Sequence, residues 1–182
     1  MPFRKTLFLL AGLIQLGPAP GSFSQDLGDG RPTITPVRTG ERIAIDGKLN
    51  DAAWKTAASS TRFIQREPSE GEPISEKTTV YLLVDDRYLY IAVRCDDSDV
   101  SQLVANELRR DAVLVDNDCV ELYLDTYHDH RTAFFFATNA LGAQRDAVIT
   151  ADANDEEQNW DWNGVWENAS TIDSAGWAAE FA

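Results

Sequence analysis

Residues 79–95 have the sequence TVYLLVDDRYLYIAVRC, which carries the clearest secondary-structure signal of the chain. Two apolar runs, 79–84 and 88–95, flank the short polar sequence Asp85-Asp86-Arg87. Both runs are rich in β-branched and aromatic residues, which favour extended backbone. A short polar loop between two such runs is typical of a β-hairpin. The stretch therefore predicts two adjacent antiparallel strands.

The period of two continues towards the end of the chain. In CVELYLD (119–125), Val120, Leu122 and Leu124 fall on one face, as in a strand with one side buried. Residues 133–138 are almost wholly apolar, which is typical of a strand covered on both sides. The remaining predicted strands are 144–150, 166–172 and 176–181.

Helical signals are few. Residues 49–58 (LNDAAWKTAA) predict one helical segment, with Asn50 or Asp51 as the N-cap and Trp54 turned into the core. A short strand is expected before it, at 42–45, and one further short helix at 99–109. With strands and turns this closely spaced, the sequence predicts an all-β fold, a jelly-roll-like β-sandwich with one or two short helices.

The chain divides into three segments. Residues 1–24 combine Arg4 and Lys5 with the apolar run LFLLAGLIQL and then small residues, which predicts a secretory signal. Residues 25–40 are rich in Gly, Asp, Pro and Thr and are expected to form a flexible leader. Residues 41–182 then form the domain. We therefore expect an exported protein, periplasmic or associated with the outer membrane.

The charge of the chain restricts its partners. The formal net charge is −14, and removal of a signal containing Arg4 and Lys5 would make it more negative by two. Such a surface repels phosphate backbones and anionic lipid, so nucleic acid is not expected as a partner. A neutral ligand such as a sugar, or a cation such as calcium, suits it better.

The chain contains two cysteines, Cys95 and Cys119. An exported protein meets an oxidising environment, in which they can pair as a disulfide. Alternation in their strands does not place them clearly on one face. Two buried thiols are therefore the alternative.

The aromatic stretch Asn159–Trp166 is one candidate site, with three tryptophans in NWDWNGVW. Aromatic rings stack on the CH faces of sugars, while amides and carboxylates bind the hydroxyl groups. Trp166 begins a predicted strand and is expected in the core, whereas Trp160 is the better stacking candidate. The sugar-binding candidates are Trp160, Trp162, Arg110, Glu121 and Asn139.

A second candidate lies in the acidic stretch before the strand at 119–125. Asp116, Asn117 and Asp118 carry the oxygen ligands that calcium prefers, so we expect a structural calcium site there. A solvated loop with local ion pairs is the alternative. His128 and His130 bracket Asp129 in a polar loop and are interpreted as facing solvent rather than binding a metal.

No catalytic motif is found. The sequence lacks G-x-S-x-G, the P-loop, G-x-G-x-x-G and H-E-x-x-H. Pairs of carboxylates are uninformative in a chain with 30 acidic residues. The chain is therefore interpreted as a binding module and not an enzyme.

Five motifs in order resemble the carbohydrate-binding module family 9-like domain. They are IDGKLNDAAW (45–54), VDDRYLY (84–90), DCVELYLD (118–125), WNGVW (162–166) and GWAAE (176–180). The resemblance covers roughly residues 43–182. It implies a β-sandwich that binds mono- or oligosaccharides, often with structural calcium, and that is fused to glycoside hydrolases of polysaccharide catabolism.

The resemblance also implies that a sugar is held between two tryptophans. Here residues 160–166 are expected to supply one wall. Trp54 and Trp177 are expected to be buried, so Tyr127 or another aromatic residue would serve as the second wall. Stretches 63–68, 125–134 and 139–146 are similar to a subgroup that precedes an outer-membrane-barrel-like region. There the last strand continues as I-P-F, so we expect this chain to be truncated within a longer polypeptide. The alternative to sugar binding is a structural or interaction domain in the periplasm.

Overall fold

The computed structural model describes residues 6–10, 33–154 and 157–182. Within these ranges the chain forms ten β-strands and two short 3-10 helices. The strands are β1 (Thr6–Leu10), β2 (Val37–Arg38), β3 (Ala58–Ser60), β4 (Thr78–Val84), β5 (Leu89–Asp96), β6 (Cys119–Leu124), β7 (Thr132–Asn139), β8 (Gln144–Thr150), β9 (Asn168–Asp173) and β10 (Gly176–Phe181). The predicted all-β sandwich is therefore confirmed.

The strands form two sheets. One has the order β1-β6-β7-β8, in which β1 lies parallel to β6 and the other pairs are antiparallel. The other has the order β2-β4-β5-β10-β9, and β3 also pairs with β4. The hairpin predicted from residues 79–95 is β4–β5, in which Val84 pairs with Leu89.

Three buried layers follow from the alternation of side chains. The largest lies between the sheets, where Val120 and Leu122 of β6 pack with Val93 of β5 and Trp177 of β10. A second lies outside the larger sheet, around Trp54. The third lies outside the smaller sheet, around Phe135. Full burial of such side chains contributes about 1.5–3 kcal/mol each.

The first helix agrees with the prediction in place but is shorter. It is a 3-10 helix, Ala52–Thr56, with Asp51 as N-cap, and Trp54 is only 4% exposed. The helix expected at 99–109 shortens to a 3-10 turn, Val100–Gln102. Beyond it the backbone is extended, because Asp118 accepts the Val104 N–H at 2.7 Å.

The strand predicted at 42–45 is absent from the structure. Carboxylates accept backbone N–H groups in this segment and directly after it: Ala44 donates to Asp51 at 3.2 Å, and Asp46 donates to Glu180 at 2.9 Å. Gly47 also donates to Glu180, at 2.7 Å, and the Trp54 indole does so at 2.8 Å. One buried carboxylate of β10 therefore holds the segment in place.

The beginning of the chain is described only in part. Of the predicted signal, 1–5 and 11–24 lie outside the described residues, and Thr6–Leu10 forms β1. Of the predicted flexible leader, 25–32 lie outside them, whereas Val37–Arg38 pairs with β4 as β2. In the ranges described, no helix has the length and apolar character needed to cross a membrane.

Both cysteines are buried thiols in the structure, which is the second of the two alternatives. Cys95 lies in β5 and Cys119 in β6. Burial, together with the nearby carboxylates of Glu121 and Asp118, raises the pKa of Cys119 to about 12. The thiol of Cys119 is therefore protonated at neutral pH.

Candidate functional site

The smaller sheet presents two faces of different character. On the inner face, Val120 and Leu122 pack against the other sheet. On the outer face, an apolar layer around Phe135 and Leu114 covers part of the sheet. The rest of this face carries polar side chains. These polar side chains lie at positions of β6 and β8 that alternate with the residues packed between the two sheets.

Register places a carboxylate and a guanidinium in one row of the outer face. Glu121 of β6 pairs with Ala137 of β7, and Ala137 pairs in turn with Arg145 of β8. Ala137 is small and 1% exposed, so the two longer side chains flank it. Tyr123, two residues along β6, lies on the same face and donates its hydroxyl to Glu121 at 3.2 Å.

Trp160 completes this group, which we call the outer-face cluster: Glu121, Tyr123, Arg145 and Trp160. The Arg145 guanidinium lies 3.9 Å from the centre of the Trp160 ring, a cation–π contact. The edge of Phe135 meets the same indole at 5.7 Å between ring centres. All four members of the cluster are half-buried, and thus remain open to a ligand.

Electrostatics at the cluster follow from this partial burial. Desolvation raises the pKa of Glu121, and the Tyr123 hydrogen bond and the charges of Arg145 and Arg66 act in the opposite direction. Burial, followed by the charge of Glu121, raises the pKa of Tyr123, so its hydroxyl remains a donor. The cluster therefore combines an acceptor, several donors and an aromatic ring, which is the set of groups that binds a polyhydroxylated ring.

The three tryptophans of residues 159–166 do not form one wall. Trp160 lies on the outer face, whereas Trp162 packs on the inner-face residue Phe134 with ring centres 5.1 Å apart. Trp166 stacks on Phe181 at 5.8 Å and is half-buried at the edge of the core. The chain reaches from one face to the other around β8, where Asn159 bridges to Val148.

The Arg110 side chain binds three residues on the inner side of the smaller sheet. Its guanidinium donates to Gln144 at 2.5 Å, to the buried carboxylate of Asp146 at 2.8 Å and to Asn163 at 3.2 Å. The Trp166 indole donates to the same Asp146 oxygen at 2.6 Å. Arg110 therefore fixes the aromatic segment to β8 instead of joining Glu121 on the outer face.

Asn139 is fully buried. Its amide NH₂ donates to the Glu107 carbonyl at 2.8 Å and to Asn117 at 3.0 Å. Its oxygen accepts from Leu141 at 3.1 Å and Ala143 at 3.0 Å. With no exposed surface, this predicted sugar ligand is a structural residue that holds the β7–β8 turn.

The three residues predicted to bind calcium differ in burial and in hydrogen bonding. Asp116 is exposed, whereas Asn117 and Asp118 are buried. Asn117 accepts from Asn106 and Asn139, and Asp118 accepts from Val104. Two of the three side chains thus hold the extended segment after the second 3-10 helix, and a calcium ion bound there stays a prediction.

Of the five predicted sugar-binding residues, Glu121 and Trp160 lie together in the outer-face cluster. Tyr123 and Arg145 were not predicted. Alternation along β6 could have revealed Tyr123, because it lies two residues from Glu121. Arg145 could be found only from the register of three strands. Tyr127, proposed as a second wall, is 72% exposed in the β6–β7 loop.

Comparisons with known proteins agree with this architecture. The family model described as carbohydrate family 9 binding domain-like matches residues 45–182. Two solved structures of a carbohydrate binding module family 9 from Caldicellulosiruptor kristjanssonii, one with cellotriose and one with glucose, are similar in fold. Their TM-scores are 0.53 and 0.52, at 19% identity in both cases.

These similarities cover 80% of the chain, but just under two thirds of each solved chain, 64% and 65%. A search of curated proteins finds no match. The family model spans well over half of the chain, including the Glu180-bound opening segment and the outer-face strands. The chain therefore belongs to the carbohydrate family 9 binding domain-like family.

Proposed function

We propose that this chain binds carbohydrate, without catalysing a reaction, through the outer-face cluster. The observation that carries the proposal is the row Glu121–Ala137–Arg145 with Trp160 at its end. A sugar offers adjacent hydroxyl groups, which suit a carboxylate acceptor beside a guanidinium donor. The cellotriose and glucose in the two similar structures support this class of ligand.

The indole is used indirectly in this arrangement. The Arg145 guanidinium lies over the Trp160 ring, so it is held in place by the ring below it. A sugar then contacts Arg145 and Glu121 through its hydroxyls and either displaces the guanidinium from the ring or packs beside it. Because the cluster has one tryptophan where the family uses two, we expect weak binding of single sugars and tighter binding of oligosaccharides.

Isothermal titration with glucose, cellotriose and a xylo-oligosaccharide tests the proposal. We expect Trp160→Ala to weaken binding about tenfold or more, a loss of about 1.4 kcal/mol. Trp162→Ala is the matched control, since Trp162 packs on Phe134 on the inner side of the sheet. Equal losses for the two variants would contradict the proposed face.

Glu121→Gln provides the second arm of this test. The amide retains one acceptor but no charge, so we expect affinity to fall while the fold is preserved. Glu121 is half-buried with a raised pKa, and its replacement removes a desolvated charge rather than a core contact. Unchanged affinity in both Glu121→Gln and Trp160→Ala would move the binding site elsewhere.

We further propose that the domain is a module of a larger exported protein that takes part in polysaccharide catabolism. The signal-like sequence of residues 1–24 and the match to a family of carbohydrate-binding domains support this context. Cell fractionation of the full-length protein tests the location, with the periplasm or outer membrane as the expected fraction. Release of reducing sugar by this domain alone would contradict the non-catalytic part of the proposal.

A second candidate is a structural or interaction domain without sugar binding. Its supporting observation is the cover of Arg145 over Trp160, which leaves less indole surface for stacking than an open tryptophan. If folded protein binds no member of a broad oligosaccharide panel, this second candidate replaces the first.

A further inference from the structure

The β6–β7 loop brings together three potential metal ligands. One ligand atom each from Asp125, His128 and His130 lies within 4.8 Å of the others. The two imidazole rings are 4.6 Å apart between centres, and His130 Nδ1 is 3.9 Å from the Asp125 carboxylate. Both histidines are exposed, so a cation can reach them from solvent.

Backbone hydrogen bonds hold the loop in this shape. The two Asp125 oxygens accept the N–H of Asp129 at 3.2 Å and of His130 at 2.8 Å. The Asp129 carboxylate accepts the N–H of Arg131 and of Thr132, both at 2.8 Å. The loop is thus fixed at both ends by carboxylates of its own residues.

Both histidines have left-handed backbone, with φ of 53° at His128 and 56° at His130. This region is uncommon outside glycine, and histidine is one of the residue types that adopt it more often. With this backbone, both imidazoles lie near Asp125. The carboxylate of Asp129, the residue between the two histidines, binds the backbone N–H of Thr132. The Arg131 guanidinium pairs with Asp152, so the nearest cationic side chain in sequence is bound by a different carboxylate.

We propose that Asp125, His128 and His130 form a binding site for a divalent transition-metal ion of the zinc type. Two imidazole nitrogens and one carboxylate oxygen are ligands that zinc takes in three-residue sites, with water completing the coordination. This set differs from an all-oxygen calcium site. The proposal does not depend on sugar binding, since none of the three residues belongs to the outer-face cluster.

The distances can be closed by side-chain rotation. Tetrahedral ligands about 2.0–2.1 Å from zinc lie about 3.4 Å apart, compared with the 4.8 Å limit found here. Exposed imidazoles change rotamer without disturbing the core, and the Asp125 carboxylate, which has about four acceptor positions, keeps one after accepting the backbone N–H groups of the loop. The backbone therefore needs no large movement.

Zinc titration of the chain, produced without a polyhistidine tag, tests the site. The sequence contains only two histidines, so every imidazole NMR signal belongs to this loop. We expect one equivalent of zinc to shift both sets of imidazole signals, and calcium at the same concentration to shift neither. The buried thiol of Cys119, with its pKa near 12, does not compete at neutral pH.

His128→Asn and His130→Asn are the matched variants, because asparagine also adopts left-handed backbone but removes the imidazole. Changes that only reorient a metal ligand already cost about 10–100-fold in affinity, so each variant should lose at least tenfold by calorimetry. Circular dichroism verifies that both variants fold. Zinc affinity equal to wild type in both variants, or no shift of the imidazoles in the wild type, would overturn the proposal.

Discussion

Glu180 and Glu121 are both strand glutamates of this sandwich, and their surroundings are opposite. Glu180 is fully buried and accepts from three backbone N–H groups and the Trp54 indole. Glu121 is half-buried, accepts one tyrosine hydroxyl and has a raised pKa. Glu180 is enclosed by donors from the protein, whereas in the described part of the chain the hydrogen bond that Glu121 accepts comes from Tyr123.

The difference separates scaffold from site. Glu180 binds the segment 46–54, which is the most recognisable sequence motif of the chain. The motif is therefore a structural signature, and its presence reports the fold. Ligand recognition resides in residues such as Glu121 and Arg145, which belong to ordinary-looking strands. The following predictions test this separation.

Glu180→Gln should have the largest effect on stability. It replaces one acceptor oxygen by an NH₂ group that faces buried donors, and each orphaned donor costs about 1–3 kcal/mol. We expect a loss of about 2–5 kcal/mol in the free energy of unfolding, measured by urea denaturation. The exposed Glu41→Gln is the control and should be neutral. A loss in Glu180→Gln no larger than in Glu41→Gln would remove the structural role.

Gly47→Ala should be next in size. Gly47 has a φ of 78°, and a Cβ there would lie 2.7 Å from the Ser170 backbone carbon. Left-handed backbone and overpacking together should cost about 2–3 kcal/mol. Gly40→Ala is the matched control, because nothing lies within 4 Å of its added Cβ. Similar thermal unfolding of the two variants would mean that the turn can move away from Ser170.

Glu121→Gln should act in the opposite direction and more weakly. The folded-state pKa of Glu121 is raised from 4.5, so its contribution to stability is fully present below pH 4.5 and is lost as the pH rises through the folded pKa. The variant should lack this decline and be slightly more stable than wild type at pH 7. Urea denaturation from pH 4 to pH 8 measures it.

Tyr123→Phe sharpens that measurement. The Tyr123 hydrogen bond lowers the pKa of Glu121, so its removal should move the decline to higher pH. An unchanged midpoint in Tyr123→Phe, or a loss of stability in Glu121→Gln, would place Glu121 with Glu180 among the structural residues.

Asp173→Asn should have the smallest effect. Asp173 binds Arg94 through two hydrogen bonds of 2.6 and 2.8 Å but is 51% exposed, so solvent screening limits the pair to about 0.5–1 kcal/mol. Arg94 lowers the pKa of Asp173 from 3.8 to about 2. The contribution is therefore present above pH 3.8 and is lost as the pH falls to about 2.

The control for Asp173 is Asp86→Asn, since Asp86 pairs with Arg38 but is 91% exposed. We expect Asp86→Asn to unfold at the same temperature as wild type. If Asp173→Asn also leaves the unfolding temperature unchanged, even an ion pair with two hydrogen bonds adds nothing to stability. The difference in stability between Glu180 and Glu121 variants would then be due to burial alone.

The strands of this fold could be predicted because their signal is local. Residues 144–150 and 176–181 are strands with the predicted bounds, and apolar alternation is sufficient to identify them. The strand expected at 42–45 does not form, and part of the reason lies far away in the sequence. The Ala44 N–H is donated to Asp51, and the N–H groups of Asp46 and Gly47, just after the predicted strand, are donated to Glu180, more than 130 residues away. No local pattern reveals Glu180 as that partner.

The candidate site could be predicted only in part for the same reason. Trp160, Trp162 and Trp166 are close in sequence, yet the chain passes around β8 and divides them between two faces. Asn139 and Arg110 are polar residues typical of sugar sites, but both are used by hydrogen bonds within the protein. Side-chain type predicts what a residue can bind, whereas register decides whether it is accessible.

The link between Glu180 and the opening segment also concerns the order of synthesis. A ribosome that begins at the N-terminus makes Asp46 and Trp54 long before Glu180. Until β10 has been synthesised, the opening segment lacks the Glu180 carboxylate and cannot adopt its native conformation. Contacts between residues this distant in sequence are associated with slow folding. The opening segment of the domain is therefore completed only after β10 has been synthesised.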